Sequence, residues 1–123
     1  MAAVNWFKNP RSRTSAHFIF SRCGIVIQMV DTNTEAWHSG IGKYPGIPRN
    51  QGNKICLGFE IASIGGATGT FTDIQIQRVN TMISWAKNKF QIDEIISHED
   101  YAGNRKSGDP GDNFPWDKIG VNR

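Results

Sequence analysis

Residues 72–90 read TDIQIQRVNTMISWAKNKF, and this stretch decides the fold. Its apolar side chains recur at three- and four-residue spacing, which is the period of one face of an α-helix. Thr72 is a suitable N-cap, and Gln75 stands three residues later in the capping-box position. Asp73 adds a negative charge in the first turn, where the helix dipole favours it. The stretch therefore predicts a core helix that packs one face on a sheet.

The sheet itself is predicted from four runs outside this helix. Residues 17–20 and 25–29 are rich in β-forming residues and flank a glycine turn, so we expect a hairpin. A third strand is expected over residues 54–62 and a fourth over residues 92–96. The order strand, strand, strand, helix, strand is typical of an α/β domain with a mixed central β-sheet flanked by helices.

The chain length of 123 residues favours one domain, residues 1–123, with one core. Residues 4–8 indicate the end of a helix, because Pro10 pushes the residue before it out of the helical region. A helix that ends so early lacks its first turns. We therefore expect the domain to be incomplete at its N-terminus.

Composition excludes two classes of protein. Apolar residues make up 38% of the chain and charged residues 20%, a mixture too apolar for a disordered segment. The longest unbroken apolar run, residues 23–27, is far shorter than the roughly 20 residues of a membrane-spanning helix. The first residues lack the basic and apolar segments of a secretory signal, so we expect the chain to stay in the cytoplasm of its producing cell.

The charge of the chain narrows the range of partners. A formal net charge of +3 favours anionic partners and leaves nucleic acid and bacterial cell wall both open. A nucleic-acid interface is disfavoured because Lys and Arg are scattered and not aligned on one helix. Cys23 and Cys56 are too few for a disulfide framework or a cysteine-based zinc site.

Two residues have the chemistry of metal ligands. His98 ends the predicted fourth strand, and Asp109 stands eleven residues later. One loop could bring them together, and they would then supply two of the three protein ligands of a catalytic zinc. The alternative is two unrelated surface residues, and the spacing alone does not decide between these interpretations.

Other candidate residues surround this pair in the sequence. Glu60 is a carboxylate within an apolar strand, where it is costly unless it faces a cleft or has a partner. It could act as a general base, or it could lie on the solvated face of an edge strand. Lys106 and Arg105 could stabilise an oxyanion or could be plain surface charges. Trp37 and His38 could form one wall of a binding groove.

Segments along nearly the whole chain carry a family resemblance. Residues 15–28 look like two strands of the family, and residues 36–40 (AWHSG) are similar to its Ala-Trp-His-Ala-Gly signature. Residues 53–61 are similar to its strand motif Asn-x-x-Ser-Ile-Gly-Ile-Glu-Leu. Residues 98–111, together with residues 114–116, look like its closing metal loop. In this order they resemble the zinc-dependent N-acetylmuramoyl-L-alanine amidases (amidase type 2). That family includes phage endolysins, bacterial anhydromuropeptide amidases and animal peptidoglycan-recognition proteins.

The resemblance implies the amidase or peptidoglycan-recognition-protein fold and a role for each candidate residue. The zinc ligands would be His98 and Asp109, the acid/base residue Glu60 and the oxyanion stabiliser Lys106. The residues expected to contact substrate are Trp37, His38, Asn53 and Arg105.

The sequence departs from the family pattern in three ways. Ala16 stands where animal and some phage members have Tyr, which favours Glu60 as the base. Gly108 lengthens the loop between His98 and Asp109 by one residue. The family's first strand ends in the histidine that supplies the third zinc ligand and would lie upstream of the first helix. We expect that strand and that ligand to be missing from this chain.

The function implied by the resemblance is hydrolysis of the amide bond between N-acetylmuramic acid and L-alanine by a zinc-activated water. We expect a monomer that acts on peptidoglycan or muropeptides, with activity impaired if the third ligand is lost. The alternative is a module that binds peptidoglycan without cutting it. A phage lysin released to the cell wall by a holin and a cytoplasmic recycling enzyme both remain open.

Overall fold

The computed structural model of the protein describes residues 2–65 and 68–120. The helices there are α1 (Ala2–Lys8), α2 (Gly52–Ile55), α3 (Asp73–Lys89) and α4 (His98–Ala102), and the strands are β1 (Phe18–Phe20), β2 (Val26–Gln28) and β3 (Phe59–Ile61). Short 3-10 turns cover Pro10–Ser12, Gly103–Lys106 and Trp116–Lys118. Within the described ranges, no helix has the length and apolar character needed to cross a membrane.

The sheet is mixed, as predicted, with the strand order β2-β1-β3. β1 pairs antiparallel with β2 in the predicted hairpin and parallel with β3. All three residues of β1 are buried, which suits a strand with neighbours on both sides. Ile19 of β1 lies opposite Glu60 of β3, so Glu60 stands on an outer strand of this sheet.

The helix α3 begins where the sequence predicts. The Oγ1 of Thr72 accepts a hydrogen bond from the backbone N of Gln75 at 3.2 Å, and the Oε1 of Gln75 accepts one from the backbone N of Thr72 at 3.3 Å. The Nε2 of Gln75 donates to the carbonyls of Phe20 and Ala62 at 3.0 and 2.7 Å. One buried side chain thus caps the helix and fastens it to the ends of β1 and β3.

The apolar face of α3 packs on the sheet. Ile76, Val79 and Ile83 of α3 are buried in one cluster with Phe18 and Phe20 of β1. Burial of each such side chain contributes about 1.5–3 kcal/mol. Packing against the sheet, more than intrinsic propensity, therefore stabilises the helix.

The prediction of a third strand over residues 54–62 is wrong for the first half of that range. Only β3 is extended and paired, whereas residues 52–55 form α2. The hydroxyl oxygen of Tyr101 accepts a hydrogen bond from the backbone N of Gly52 at 3.0 Å, and the backbone N of Cys56 donates to the carbonyl of Gly52 at 2.9 Å. A contact from 49 residues away thus holds this helical turn, against the local β preference.

The fourth strand, predicted over residues 92–96, is also wrong, because these residues pair with no strand in the described part of the chain. Residues 91–97 and β3 instead line one cavity of about 870 Å³. A segment without a hydrogen-bonded neighbour forms no ladder, whatever its β propensity. The segment from Glu99 onward, predicted as loop, contains most of α4 and two 3-10 turns in its described part.

Candidate active site

His98 and Asp109, the two predicted metal ligands, lie close together. His98 is the first residue of α4 and not the end of a strand. Ser97 and Asp100 form a capping box that fixes the start of α4, with bonds of 2.8 and 2.9 Å. The backbone N of Glu99 donates to the carbonyl of Asp109 at 3.0 Å and closes the loop. As a result, the Nδ1 of His98 lies 3.1 Å from the Oδ2 of Asp109.

The ring of His98 is held in one orientation. Its Nε2 lies 2.9 Å from the backbone carbonyl of Ser39, and since a carbonyl only accepts, Nε2 donates its proton there. In the neutral ring, Nδ1 is then an acceptor that faces a carboxylate oxygen of Asp109. Two acceptors at this distance need a cation between them, either a proton or a metal ion.

The donor types of this pair fit a zinc ion, which binds histidine nitrogen and carboxylate oxygen. The bond from Nε2 to a carbonyl is the outer contact that metal-bound histidines commonly make. Within residues 2–65 and 68–120, no group of three or more His, Cys, Asp or Glu side chains is arranged to hold a metal. In the described chain, the agreement with a zinc site thus depends on two protein ligands, His98 and Asp109.

Glu60 lies on β3 and lines the same cavity as His98 and Asp109. Burial by the cleft walls raises the pKa of Glu60, and the charge of Asp109 raises it further, whereas His98 and Lys106 lower it. Glu60 as a whole residue is nonetheless solvent-exposed, since β3 is an outer strand of the described sheet. Both sequence interpretations therefore hold in part: β3 is an outer strand, and its carboxylate lines the cleft.

The two neighbouring cations, Arg105 and Lys106, make different contacts. The Nη2 of Arg105 donates to the carbonyls of Ser39 and Ile41 at 2.9 and 2.8 Å. The ammonium group of Lys106 takes part in no hydrogen bond or ion pair among the described residues. Arg105 is thus partly engaged by the backbone, and Lys106 is the cation that can turn to a ligand.

Trp37, His38 and Asn53, which are also expected to contact substrate, differ in exposure and in hydrogen bonding. Trp37 is 59% exposed, which suits stacking on a ligand. Burial is the main cause that lowers the pKa of His38 to about 4, so this ring is neutral near pH 7 and donates from Nε2 to the carbonyl of Cys56 at 3.1 Å. The Oδ1 of Asn53 accepts hydrogen bonds from the backbone N atoms of His38 and Ser39.

Two clefts meet at this cluster of side chains. One, of about 510 Å³, is lined by Arg13 and Trp37 among others, and the cavity of about 870 Å³ is lined by Glu60. His98 and Lys106 line both.

Sequence reasoning missed Arg13, although its charge just before β1 was a usable signal. It also missed Ser39, whose backbone carbonyl contacts His98 and carries no residue-type signal.

The site thus gathers a histidine, two carboxylates and two cations, residue types that can hold a metal ion and stabilise a negative charge. A family model described as N-acetylmuramoyl-L-alanine amidase matches residues 1–112, and the chain belongs to this family. The 1,6-anhydro-N-acetylmuramyl-L-alanine amidase AmpD of Haemophilus influenzae is 34% identical over 110 residues, covering 87% of this chain and 57% of that protein. N-acetylmuramoyl-L-alanine amidase A of Achromobacter lyticus is 27% identical over 125 residues, covering 93% of this chain and 71% of that protein.

Solved structures show the same fold. A crystal structure of AmpD superposes with a TM-score of 0.79 at 27% identity, covering 93% of this chain and 65% of that one. The amidase AmiD of Escherichia coli, solved with an anhydro-N-acetylmuramic acid peptide, superposes with a TM-score of 0.84 at 21% identity, covering 96% of this chain and 50% of that one. The chain spans little more than half the length of the AmpD relatives that it matches.

Proposed function

We propose that this chain carries the site of a peptidoglycan hydrolase that cleaves the amide bond between N-acetylmuramic acid and L-alanine. The observation that carries the proposal is the 3.1 Å approach of His98 Nδ1 to Asp109 Oδ2 in a cleft shared with Glu60 and Lys106. The activity named for the AmpD relatives supports it.

Zinc is the proposed cofactor. His98 and Asp109 are the residues that would hold it. When bound, zinc supplies Lewis acidity, which polarises a carbonyl and lowers the pKa of a water molecule. The fixed ring of His98 keeps its Nδ1 turned to Asp109 before any metal arrives.

Glu60 is the proposed acid/base residue. It accepts a proton from the attacking water and returns it to the alanine nitrogen as the amide bond breaks. The raised pKa of Glu60, caused first by burial and then by Asp109, favours the first of these steps, because a more basic carboxylate accepts a proton from water more readily. Lys106 donates to the carbonyl oxygen of the substrate and stabilises the negative charge that develops there.

The proposed ligand is a muropeptide or a peptidoglycan strand. Trp37 stacks on a sugar or peptide at the rim, and His38, Asn53 and Arg105 shape the cleft wall around it. The net charge of +3 suits an anionic wall polymer. The relatives described above are bacterial enzymes and give no support to the interpretation as a phage lysin. A monomer in the cytoplasm remains a prediction.

A module that binds peptidoglycan without cutting it is the second candidate. The observation in its favour is that the described residues supply two metal ligands and no third. Such a module would retain muropeptides through Trp37 and the cleft, and its Glu60 would have no role in turnover.

One experiment separates the two candidates. The purified chain is loaded with zinc, its metal content is measured, and it is incubated with a defined muropeptide while free stem peptide is quantified. The hydrolase predicts release by the native chain, loss of release in Glu60→Gln, and no loss in the control Glu35→Gln, an exposed glutamate. Binding of the muropeptide without release by the native chain would establish the module.

A further inference from the structure

The backbone between Trp37 and Gly40 is clamped by one side chain. The Oδ1 of Asn53 accepts three hydrogen bonds, from the backbone N of His38 at 3.0 Å, the backbone N of Ser39 at 2.8 Å and the Oγ of Ser39 at 2.8 Å. An amide oxygen has two lone pairs, so three converging donors use its full accepting capacity. The two peptide groups that precede the Ser39 Cα atom, and the Ser39 side chain, are therefore fixed with respect to α2, which carries Asn53, and this limits how the following Ser39 carbonyl can turn.

The clamped residue points its carbonyl at the active site. The oxygen of Ser39 accepts from the Nε2 of His98 at 2.9 Å and from the Nη2 of Arg105 at 2.9 Å. Rotation of this peptide group would remove both bonds at once. The direction of the Ser39 carbonyl thus decides how the His98 ring is turned.

Tight packing holds α2 against Ser39 and against Tyr101. A Cβ atom on Gly52 would lie 2.6 Å from the Oγ of Ser39 and 2.9 Å from the Cζ of Tyr101. The Gly52 backbone N also donates to the Tyr101 hydroxyl at 3.0 Å. Since Tyr101 belongs to α4, the helix that begins at His98, α2 and α4 are joined directly as well as through Ser39.

We propose that Asn53 is a positioning residue for His98, acting through the carbonyl of Ser39. It sets the orientation in which Nε2 is bonded and Nδ1 faces Asp109. This extends the proposed function, which uses Nδ1 as a ligand atom, but the orientation itself is independent of catalysis. The role differs from direct contact with substrate, which the sequence predicts for Asn53.

The two roles require different atoms of Asn53. Positioning uses the Oδ1 acceptor, whereas a donor contact to substrate would use the Nδ2 group. Asn53→Asp keeps the acceptor and removes the donor, and Asn53→Ala removes both. Ser39→Ala removes the hydroxyl bond and leaves the Ser39 carbonyl and backbone N in place, so it is a matched control inside the clamp.

The test is solvent exchange of the His98 Nε2 proton, followed by NMR on the full chain labelled with ¹⁵N-histidine and without metal. We expect protection in the native chain, in Asn53→Asp and in Ser39→Ala, and exchange about tenfold faster in Asn53→Ala, because its carbonyl partner is released. Zinc affinity is expected to fall about 10–100-fold in Asn53→Ala, the usual loss for an outer contact of a metal ligand, and to be regained in Asn53→Asp.

The backbone amide spectrum away from the site shows whether each variant is folded. Unchanged protection in a folded Asn53→Ala would overturn the proposal. If that variant does not fold, loss of protection in a folded Asn53→Asp would overturn it too, since the acceptor is still present. Neither readout needs turnover, so failure of the amidase assignment is distinguishable from failure of this inference.

Discussion

The Nδ1 of His98 lies 3.1 Å from the Oδ2 of Asp109, and the opposite nitrogen of the same ring is bonded to the Ser39 carbonyl. The side chains of His98 and Asp109 are 22% and 49% exposed, so a ligand can reach the space between them from solvent. The ring of His98 is thus held by a hydrogen bond at Nε2, while Nδ1 stays accessible to a ligand. This arrangement is common for histidines that bind a metal ion.

The first prediction concerns Asp109. Asp109→Asn keeps the shape of the side chain but removes the charge and so weakens the metal-binding oxygen that faces His98. We expect stoichiometric zinc binding by the purified chain to be lost, as measured by metal analysis after dialysis. Asp117→Asn, at an exposed aspartate in a 3-10 turn, should bind as the native chain does. Equal zinc content in both variants would contradict the assignment of Asp109.

The second prediction concerns Lys106. Lys106→Met retains the length of the stem and removes the charge, so it should lower kcat about 100-fold with little change in KM, the pattern for a group that stabilises charge in the transition state. Steady-state kinetics on a muropeptide measure it. Lys87→Met, on the exposed side of α3, serves as the control. A rise in KM at unchanged kcat would instead place Lys106 in ground-state binding.

The third prediction concerns Gln75. Gln75→Ala leaves the carbonyl of Ala62 without its side-chain donor, takes one of two donors from the carbonyl of Phe20, which keeps the backbone N of Ala62, and removes half of the capping box. Since a buried polar group without a partner costs about 1–3 kcal/mol, we expect a loss of roughly 2–4 kcal/mol in the free energy of unfolding. Urea denaturation measures it. Gln77→Ala, exposed on the same helix, should change stability by less than about 0.5 kcal/mol.

The fourth prediction concerns pH. Burial lowers the pKa of His38 from 6.5 to about 4 in the folded chain, so between these pH values the unfolded chain binds more protons. The contribution of His38 to the free energy of unfolding is therefore fully present above pH 6.5. It is lost as the pH falls towards 4, and the loss is roughly 3 kcal/mol at most. The pH dependence of urea unfolding should be flatter in His38→Gln by this amount. Parallel curves for the two proteins would contradict it.

Features set by neighbouring residues are the ones that the sequence predicts well. The capping box of Thr72 and Gln75 and the hairpin around Gly24 depend on contacts within a few positions, and both occur in the structure. Residue type and spacing suggested His98 and Asp109 as a pair but left two interpretations open, and the resemblance to a known family favoured the metal-ligand interpretation. The capping box of Ser97 and Asp100, which fixes the start of the segment between His98 and Asp109, was not predicted, because residues 92–98 were interpreted as a strand and its end.

Features set by distant contacts were not predictable in this way. The turn of α2 depends on Tyr101, and a strand over residues 92–96 would need a paired neighbour that the described residues do not supply. The carbonyl of Ser39 is invisible to sequence reasoning because every residue has a carbonyl and only the fold gives this one its direction.

The central claim is that this chain hydrolyses the amide bond to muramic acid with Glu60 as the acid/base residue. The most direct measurement is mass spectrometry of the products from a muropeptide incubated with zinc in ¹⁸O-labelled water. The account predicts one ¹⁸O atom in the carboxylate of the released muramic acid with the native chain, and no product with Glu60→Gln. A native chain that binds zinc and yields no labelled muramic acid, or equal labelling by Glu60→Gln, would contradict it.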